Sequence, residues 1–181
     1  MLRIQEKILI HQVKKGNQNA FAKLYKEYVD EIYRFIFFKI SKSEIAEEIT
    51  QTVFTKALNY LLDGEKVENF RALLYQIARN LIIDFYRLKH QEVSLEEAKE
   101  IPFVPDYQKN LDQEIEIEKI KKYLSLLKPE QQEIILLRFF EGLSFKEIAK
   151  ITGQSESNVR QIASRSIKIL KKHLNQELSQ K

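Results

Sequence analysis

The sequence contains no cysteine, which excludes disulfide bonds, thiolate metal sites and a cysteine nucleophile. Only 4 glycines and 3 prolines occur, so the chain has few breaks, and long helices are favoured over many short strands. The histidines His11, His90 and His173 lie far apart without carboxylate partners at ligand-like spacing, and no metal site is predicted. A Gly-rich phosphate loop and a nucleophile–base pair are also missing, so we expect neither an enzyme nor a cofactor.

No apolar run approaches membrane-spanning length, and the opening segment MLRIQEKILIHQVKK is too charged for a secretory signal. A composition of 44% hydrophobic and 31% charged residues is typical of a soluble globular protein. The net charge of +4 is a mild excess, but its distribution is uneven. Acidic residues gather in the middle of the chain and leave both flanks more basic: Glu96, Glu97, Glu100, Asp106, Asp112, Glu114, Glu116 and Glu118.

The stretch 127–173 predicts three helices separated by two tight turns. Pro129 suits a first helical position, where its missing N–H costs nothing, and Gly142 ends that helix. Ser144 and Glu147 have the spacing of a capping box, in which each side chain satisfies an otherwise unpaired backbone N–H. The second helix therefore begins at this pair.

The third predicted helix follows a turn at Gly153 and is capped by Ser155. One of its faces is suited to packing, with Val159, Ile162, Ser166 and Ile169 at helical spacing, and another is polar and cationic, with Asn158, Gln161, Arg165, Lys168 and Lys172. A helix-turn-helix places such a polar face in the DNA major groove, where Asn and Gln pair with adenine and Arg with guanine. A merely solvated charged face would not explain the arrangement of Ala149, Gly153, Val159 and Ile162.

The first half of the chain has the periodicity of four helices, predicted at residues 2–15, 17–40, 43–61 and 69–90. Ser41 or Ser43 is the predicted cap of the third helix, and a polar loop at 63–66 separates it from the fourth. Apolar spacing places five residues of the fourth helix in the core: Leu73, Leu74, Ile77, Leu81 and Phe85.

Periodicity fails between residues 90 and 112, where Pro102 and Pro105 favour extended backbone. We interpret 91–112 as an acidic linker, with a short helix capped by Ser94 and Glu97. The predicted fold is therefore all-α, with two small helical domains at 1–90 and 113–181, the second carrying the helix-turn-helix.

Three segments in this order carry a family resemblance: AEEITQTVF at 46–54, FRALLYQIARNLIIDFYRLK at 70–89, and residues 127–172. Together they resemble the sigma factors of bacterial RNA polymerase, of the sigma-70 family and its short extracytoplasmic-function type. Members of this group keep the second and fourth conserved regions, joined by a linker. The resemblance implies a dissociable promoter-specificity subunit that is not itself an enzyme.

The resemblance also implies roles for individual residues. The second region docks on the clamp helices of the largest polymerase subunit, and the matching positions are Glu47, Glu48, Gln51 and Phe54. The loop at about 60–69 matches the family's base-capturing loop, and the minus-ten element is met by the bordering helix at Phe70, Arg71, Arg79, Asn80, Asp84 and Arg87. Contacts with the minus-thirty-five element are expected from Ser157, Asn158, Arg160, Gln161, Ser164, Arg165 and Lys168.

The resemblance also implies partners and a location for the protein. The expected partners are core RNA polymerase, through the clamp helices and the flap of the second-largest subunit, promoter DNA, and an anti-sigma factor. The expected location is the bacterial cytoplasm, without membrane insertion.

The rival interpretation is a stand-alone helix-turn-helix regulator whose N-terminal domain senses a ligand or dimerises. Such a regulator would bind an operator without core polymerase.

Overall fold

The computed structural model describes residues 3–92 and 111–178, which belong to two compact units divided between Asp106 and Tyr107. The N-terminal unit contains helices α1 (Arg3–Lys14), α2 (Gln18–Ile40), α3 (Ser43–Leu62) and α4 (Phe70–Glu92). The C-terminal unit contains α5 (Leu111–Ser125), α6 (Pro129–Ile135), a π-helical segment (Leu136–Phe140), α7 (Phe145–Thr152) and α8 (Glu156–Leu178). These described ranges contain no strand, so the all-α prediction is confirmed. None of their helices is long and apolar enough to cross a membrane.

The predicted linker lies largely outside the described residues, as does the short helix predicted at Ser94. At its two ends the chain is still helical, because α4 continues to Glu92 and α5 begins at Leu111.

Apolar residues of α2, α3 and α4 form the core of the N-terminal unit. Leu24, Ile32 and Ile36 of α2 are fully buried, as are Val53 and Leu61 of α3. Phe35 meets Tyr75 of α4 edge to face, with ring centroids 5.2 Å apart. Burial of these side chains is the main force that holds α2, α3 and α4 together.

The core face of α4 differs from the predicted one. Leu74 is buried as expected, but the other four predicted residues, Leu73, Ile77, Leu81 and Phe85, are only partly buried. The residues of α4 that fill the core with Leu74 are Phe70, Ala72, Tyr75, Ala78 and Ile82. Alanines allow neighbouring helices to approach closely, and a pattern based on large apolar residues overlooks them.

The start of α3 corrects a second prediction. Ser41 has a left-handed backbone conformation (φ 59°) and donates its N–H to the Phe37 carbonyl at 2.8 Å, so it ends α2. The N-cap of α3 is Lys42, without a side-chain capping bond, and Ser43 is already helical. The predicted serine cap is therefore wrong.

The predicted helix-turn-helix signals are confirmed. The Glu147 N–H donates to Ser144 Oγ at 3.2 Å, and the Ser144 N–H donates to Glu147 Oε2 at 2.9 Å. Gly153 ends α7 in a left-handed conformation (φ 71°), and Ser155 Oγ accepts the Asn158 N–H at 3.2 Å to cap α8.

Candidate promoter and polymerase interfaces

Helix α8 presents one buried and one exposed face. Val159, Ala163 and Ser166 are at most 1% exposed and anchor the helix in the C-terminal unit. Every predicted contact residue of this helix is exposed: Ser157, Asn158, Arg160, Gln161, Ser164, Arg165 and Lys168. We call these residues the α8 face. Their shared accessibility is what base-edge and phosphate contacts require.

Two members of the α8 face are held in place by their neighbours. Asn158 Nδ2 donates to Gln154 Oε1 at 3.0 Å, which orients the amide. Arg160 Nε donates to Glu156 Oε1 at 3.2 Å, and the guanidinium lies 4.7 Å from the centroid of the Phe145 ring. By contrast, Gln161 and Arg165 form no side-chain hydrogen bond or ion pair within residues 3–92 and 111–178. Their donors therefore remain available for a partner.

Helix α4 separates its predicted contact residues into buried and accessible groups. Phe70 is fully buried, with its ring 5.9 Å from that of Tyr28. Its assignment as a DNA contact is corrected, because it lies in the core. Arg71 is only partly accessible, and its Nε and Nη2 atoms donate to the two carboxylate oxygens of Glu31 at 2.7 and 2.8 Å. This bidentate pair ties α4 to α2.

The accessible group is a stripe along the second half of α4. Asn80 and Arg87 are exposed, and Asp84 between them keeps 49% of its side chain exposed. Arg87 Nη2 lies 3.1 Å from Asp84 Oδ1, and Arg79 beside the stripe is partly buried. Ile83, which is 47% exposed, adds an apolar side chain to the same accessible group. We call Asn80, Ile83, Asp84 and Arg87 the α4 stripe. Ile83 was not predicted from the sequence.

On α3, three of the four predicted polymerase contacts are accessible. Glu47, Glu48 and Gln51 are exposed within one and a half turns of the helix, and we call them the α3 acidic face. Phe54 is 2% exposed, and its ring lies 4.7 Å from that of Tyr25. Its assignment as an apolar anchor for polymerase is corrected, because it packs inside the N-terminal unit.

An apolar groove in the C-terminal unit was not predicted from the sequence. It has a volume of about 400 Å³ between α5, the π-helical segment and α8. Six of its lining residues are Tyr123, Ile135, Phe139, Phe140, Leu170 and Leu174. Phe139 is 54% exposed and Leu174 is 44% exposed. Apolar side chains at an accessible concave surface are typical of a binding site for a protein partner.

The two phenylalanines that line this groove belong to the π-helical segment. Here the Glu141 N–H donates to the Leu136 carbonyl at 3.1 Å, one residue further back than in an α-helix. Such widened turns are uncommon and occur frequently at functional sites. Apolar periodicity alone predicts a continuous helix from Pro129 to Gly142 and gives no sign of the change.

Titratable side chains do not form a metal centre in the described ranges, where no group of three or more His, Cys, Asp or Glu residues could hold a metal ion.

Comparison with known protein families gives two matches. Residues 24–91 match the model of sigma-70 region 2, and residues 117–170 match that of sigma-70 region 4. The first covers α3, α4 and most of α2, and the second covers the helix-turn-helix.

Individual proteins are also similar. RNA polymerase sigma factor YlaC of Bacillus subtilis is 32% identical over 162 residues, which is 87% of this chain and 94% of that protein. The extracytoplasmic-function sigma factor BldN of Streptomyces coelicolor is 29% identical over 173 residues; the match covers 90% of this chain and 63% of BldN. Among solved structures, sigma factor RpoE in complex with the anti-sigma factor NepR, from Bartonella quintana, has a TM-score of 0.71 and 25% identity. That match covers 86% of this chain and 96% of RpoE.

Proposed function

This chain belongs to the extracytoplasmic-function group of the sigma-70 family, and we propose how its two units divide the work of a promoter-recognising sigma factor. The N-terminal unit binds core polymerase through the α3 acidic face and the minus-ten element through the α4 stripe. The C-terminal unit binds the minus-thirty-five element through the α8 face. The observation that carries the proposal is that each of these surfaces is an accessible polar helix face. The stand-alone regulator is not favoured, because sigma-70 region 2 matches 24–91.

Transcription in vitro tests the proposal as a whole. Purified chain and core polymerase are offered a library of promoter fragments, and productive start sites are sequenced. We expect start sites that share two sequence elements at a fixed separation. The proposal would be contradicted if the chain bound DNA fragments in the absence of core polymerase and gave no specific start sites in its presence.

For the minus-thirty-five element, the proposal gives Arg165 the role of a base-reading residue. A guanidinium presents two parallel donors to the O6 and N7 atoms of guanine, and Arg165 has no competing partner in the described chain. Lys168, one turn further along α8, is suited to contact a phosphate of the DNA backbone.

We predict that Arg165→Ala weakens promoter use by about 10-fold, since one bidentate base contact contributes roughly 1–3 kcal/mol. Binding to core polymerase should remain unchanged, because the exposed Arg165 side chain belongs neither to the α3 acidic face nor to the lining of the apolar groove. The measurement is initial transcription rate against promoter concentration. Arg165→Lys is the matched control: it keeps the charge but loses the two-donor geometry, so promoter discrimination should fall while non-specific affinity stays. Loss of core binding in either variant would contradict this role.

For the minus-ten element, strand opening requires that unpaired bases be held outside the duplex. Unstacking a base costs a few kcal/mol, so the protein must supply compensating contacts. In the α4 stripe, the Asn80 amide offers both a donor and an acceptor, Arg87 offers a phosphate contact, and Ile83 offers an apolar surface. The loop at 63–69, which ends where α4 begins, is proposed to receive a flipped base.

The apolar groove is proposed to receive the flap of the second-largest polymerase subunit. Phe139 is the suited anchor because it is aromatic, 54% exposed and part of the groove lining. Docking there would hold the C-terminal unit on the enzyme while α8 reads DNA.

We predict that Phe139→Ser raises the Kd for an isolated polymerase flap fragment by about 10-fold or more, as expected when an interface anchor is removed. Fluorescence anisotropy of the labelled flap fragment measures the change. Leu126→Ser is the matched control, since Leu126 is 39% exposed but does not line the groove. Equal weakening by both variants would indicate a general effect on the unit and contradict a specific docking site.

We further propose an anti-sigma factor as a regulatory partner and the bacterial cytoplasm as the location. Support comes from the similarity to RpoE, a sigma factor solved in complex with its anti-sigma factor. A partner that covered the α3 acidic face and the apolar groove would compete directly with core polymerase. Binding of core polymerase and binding of such a partner to the labelled chain should therefore exclude each other in a competition experiment.

A further inference from the structure

Helix α1 contacts the start of the loop at 63–69 and the first residue of α4 that follows it, although neither of the two α1 residues involved matched any part of the family pattern. Near the start of the loop, Lys14 Nζ donates to the Gly64 carbonyl at 3.0 Å and also to the Glu65 carbonyl. At the far end, the carboxylate of Glu6 accepts the backbone N–H of Phe70 at 3.4 Å. One helix therefore fixes where the loop leaves α3 and where it enters α4.

The Lys14 contact depends on the shape of the loop. Gly64 has a left-handed conformation (φ 83°), in which side-chain-bearing residues are disfavoured. An ammonium has three donors and no acceptor, so it can bind the Gly64 and Glu65 carbonyls at once. Such charge-assisted hydrogen bonds are stronger than neutral ones.

The Glu6 contact is largely shielded from water. Glu6 is 8% exposed and also accepts the hydroxyl proton of Tyr28. Burial, together with Glu6, raises the pKa of Tyr28 above its ordinary value, so the hydroxyl remains a donor throughout the physiological range. The Phe70 N–H belongs to the first turn of α4, where no intrahelical acceptor exists. The Glu6 carboxylate thus accepts a hydrogen bond from a buried donor. Its negative charge also interacts favourably with the positive end of the α4 dipole.

We infer that α1 is a positioning element for promoter opening, with Lys14 and Glu6 as positioning residues that hold the 63–69 loop in the shape that receives a flipped base. The inference rests on the proposed role of that loop. Neither residue is assigned a DNA contact: Lys14 donates to loop carbonyls, and Glu6 is negative and buried. Substitution of Lys14 or Glu6 should consequently impair only the capture of the flipped base.

The test is open-complex formation by holoenzyme on synthetic promoters that carry one abasic site at successive non-template positions of the minus-ten element. For the unaltered chain, we expect one position at which the abasic site lowers opening markedly. Lys14→Met should lower opening on the intact promoter by about 10-fold, as expected for loss of hydrogen bonds to a charged group. On the promoter that lacks the captured base, Lys14→Met should cause little further loss, because loop and base act through one contact.

Three companion variants separate positioning from folding. Lys15→Met makes the same chemical change on the adjacent exposed residue, whose side chain forms no hydrogen bond with the loop in the described part of the chain, and should leave opening unchanged. Lys14→Arg should restore opening, since a guanidinium also donates to carbonyls. Glu6→Gln keeps an acceptor for the Phe70 N–H, and it should weaken opening less than Lys14→Met.

The outcomes are distinct. Equal losses from Lys14→Met on intact and abasic promoters would overturn the positioning role, even if the loop captures a base. If no abasic position affected the unaltered chain, the base-capturing role itself would fail, and the inference would fall with it. Loss of core binding in Lys14→Met would also overturn the inference by showing a general defect of the N-terminal unit.

Discussion

Phe54→Ala is expected to lower the free energy of unfolding of the N-terminal unit by about 3–5 kcal/mol, the usual cost of removing a buried aromatic side chain. Phe54 is 2% exposed and contacts the rings of Tyr25 and Phe21, at centroid distances of 4.7 and 6.5 Å. Deleting its ring would leave a cavity between α3 and α2 that surrounding helices fill only partly. Hydrogen exchange of the α3 amides in the full chain measures the change.

Matched variants distinguish a core residue from a polymerase anchor. Phe54→Leu keeps most of the apolar volume, so it should be far less destabilising and should bind core polymerase normally. Leu62→Ala, at a 50% exposed site of the same helix, should change stability by no more than about 0.5 kcal/mol. If Phe54→Leu folded normally but lost polymerase binding, the original assignment of Phe54 as an anchor would be right.

The aromatic residues explain where prediction from sequence succeeds and fails. Helical spacing marks Phe54 and Phe70 as apolar positions, but it cannot tell a core side chain from an accessible anchor, since both repeat every three or four residues. The family resemblance assigned both residues to interfaces. Their burial depends on what α2 places against them, namely Tyr25 and Tyr28, and that is a tertiary contact.

Local signals were predicted well where the chemistry involves neighbours in sequence. The Ser144–Glu147 capping box and the left-handed Gly153 need only residues within a few positions, and both were identified. Ser41 shows the limit of such signals, because a serine between two helices suits either end, and here its N–H bonds to Phe37 and closes α2. Whether such a serine ends the first helix or caps the second depends on which of the two helices contributes the turn between them.

Two functional features had no sequence signal at all. The π-helical segment at Leu136–Phe140 differs from an α-helix by one residue of register, and its composition is ordinary for a buried helix. The contacts from α1 to the 63–69 loop join residues fifty or more positions apart. Lys14 and Glu6 look like solvated charges in a short amphipathic helix until the fold brings the loop to them.

The largest functional effect is expected at the α3 acidic face, where replacing both Glu47 and Glu48 by lysine should weaken core-polymerase binding by about 100-fold or more. Single exposed ion pairs contribute little, typically about 1 kcal/mol or less, so neutral glutamine replacements should have a small effect. Reversal instead places like charges against the partner surface, which costs several kcal/mol. Titration of labelled chain with core polymerase measures the change.

Folding should not be affected by this charge reversal. Both positions lie beyond the first turn of α3, where the helix dipole has little influence. Lysine at position 48 even gains a favourable pairing with Glu44, four residues earlier on the same helix. Asp30→Lys, at an exposed acid of α2, is the matched control and should leave binding unchanged.

Ionic strength supplies the decisive comparison for the same variants. Salt screens repulsion between exposed charges, with a Debye length of about 10 Å at 0.1 M. The difference in Kd between the unaltered chain and the double-lysine variant should therefore shrink as salt rises from 0.05 to 0.5 M, a range chosen to span roughly 14 to 4 Å of screening. A difference that stays constant across this range would mean that the lysines act by shape, and the acidic face would then have no electrostatic role in holding the polymerase.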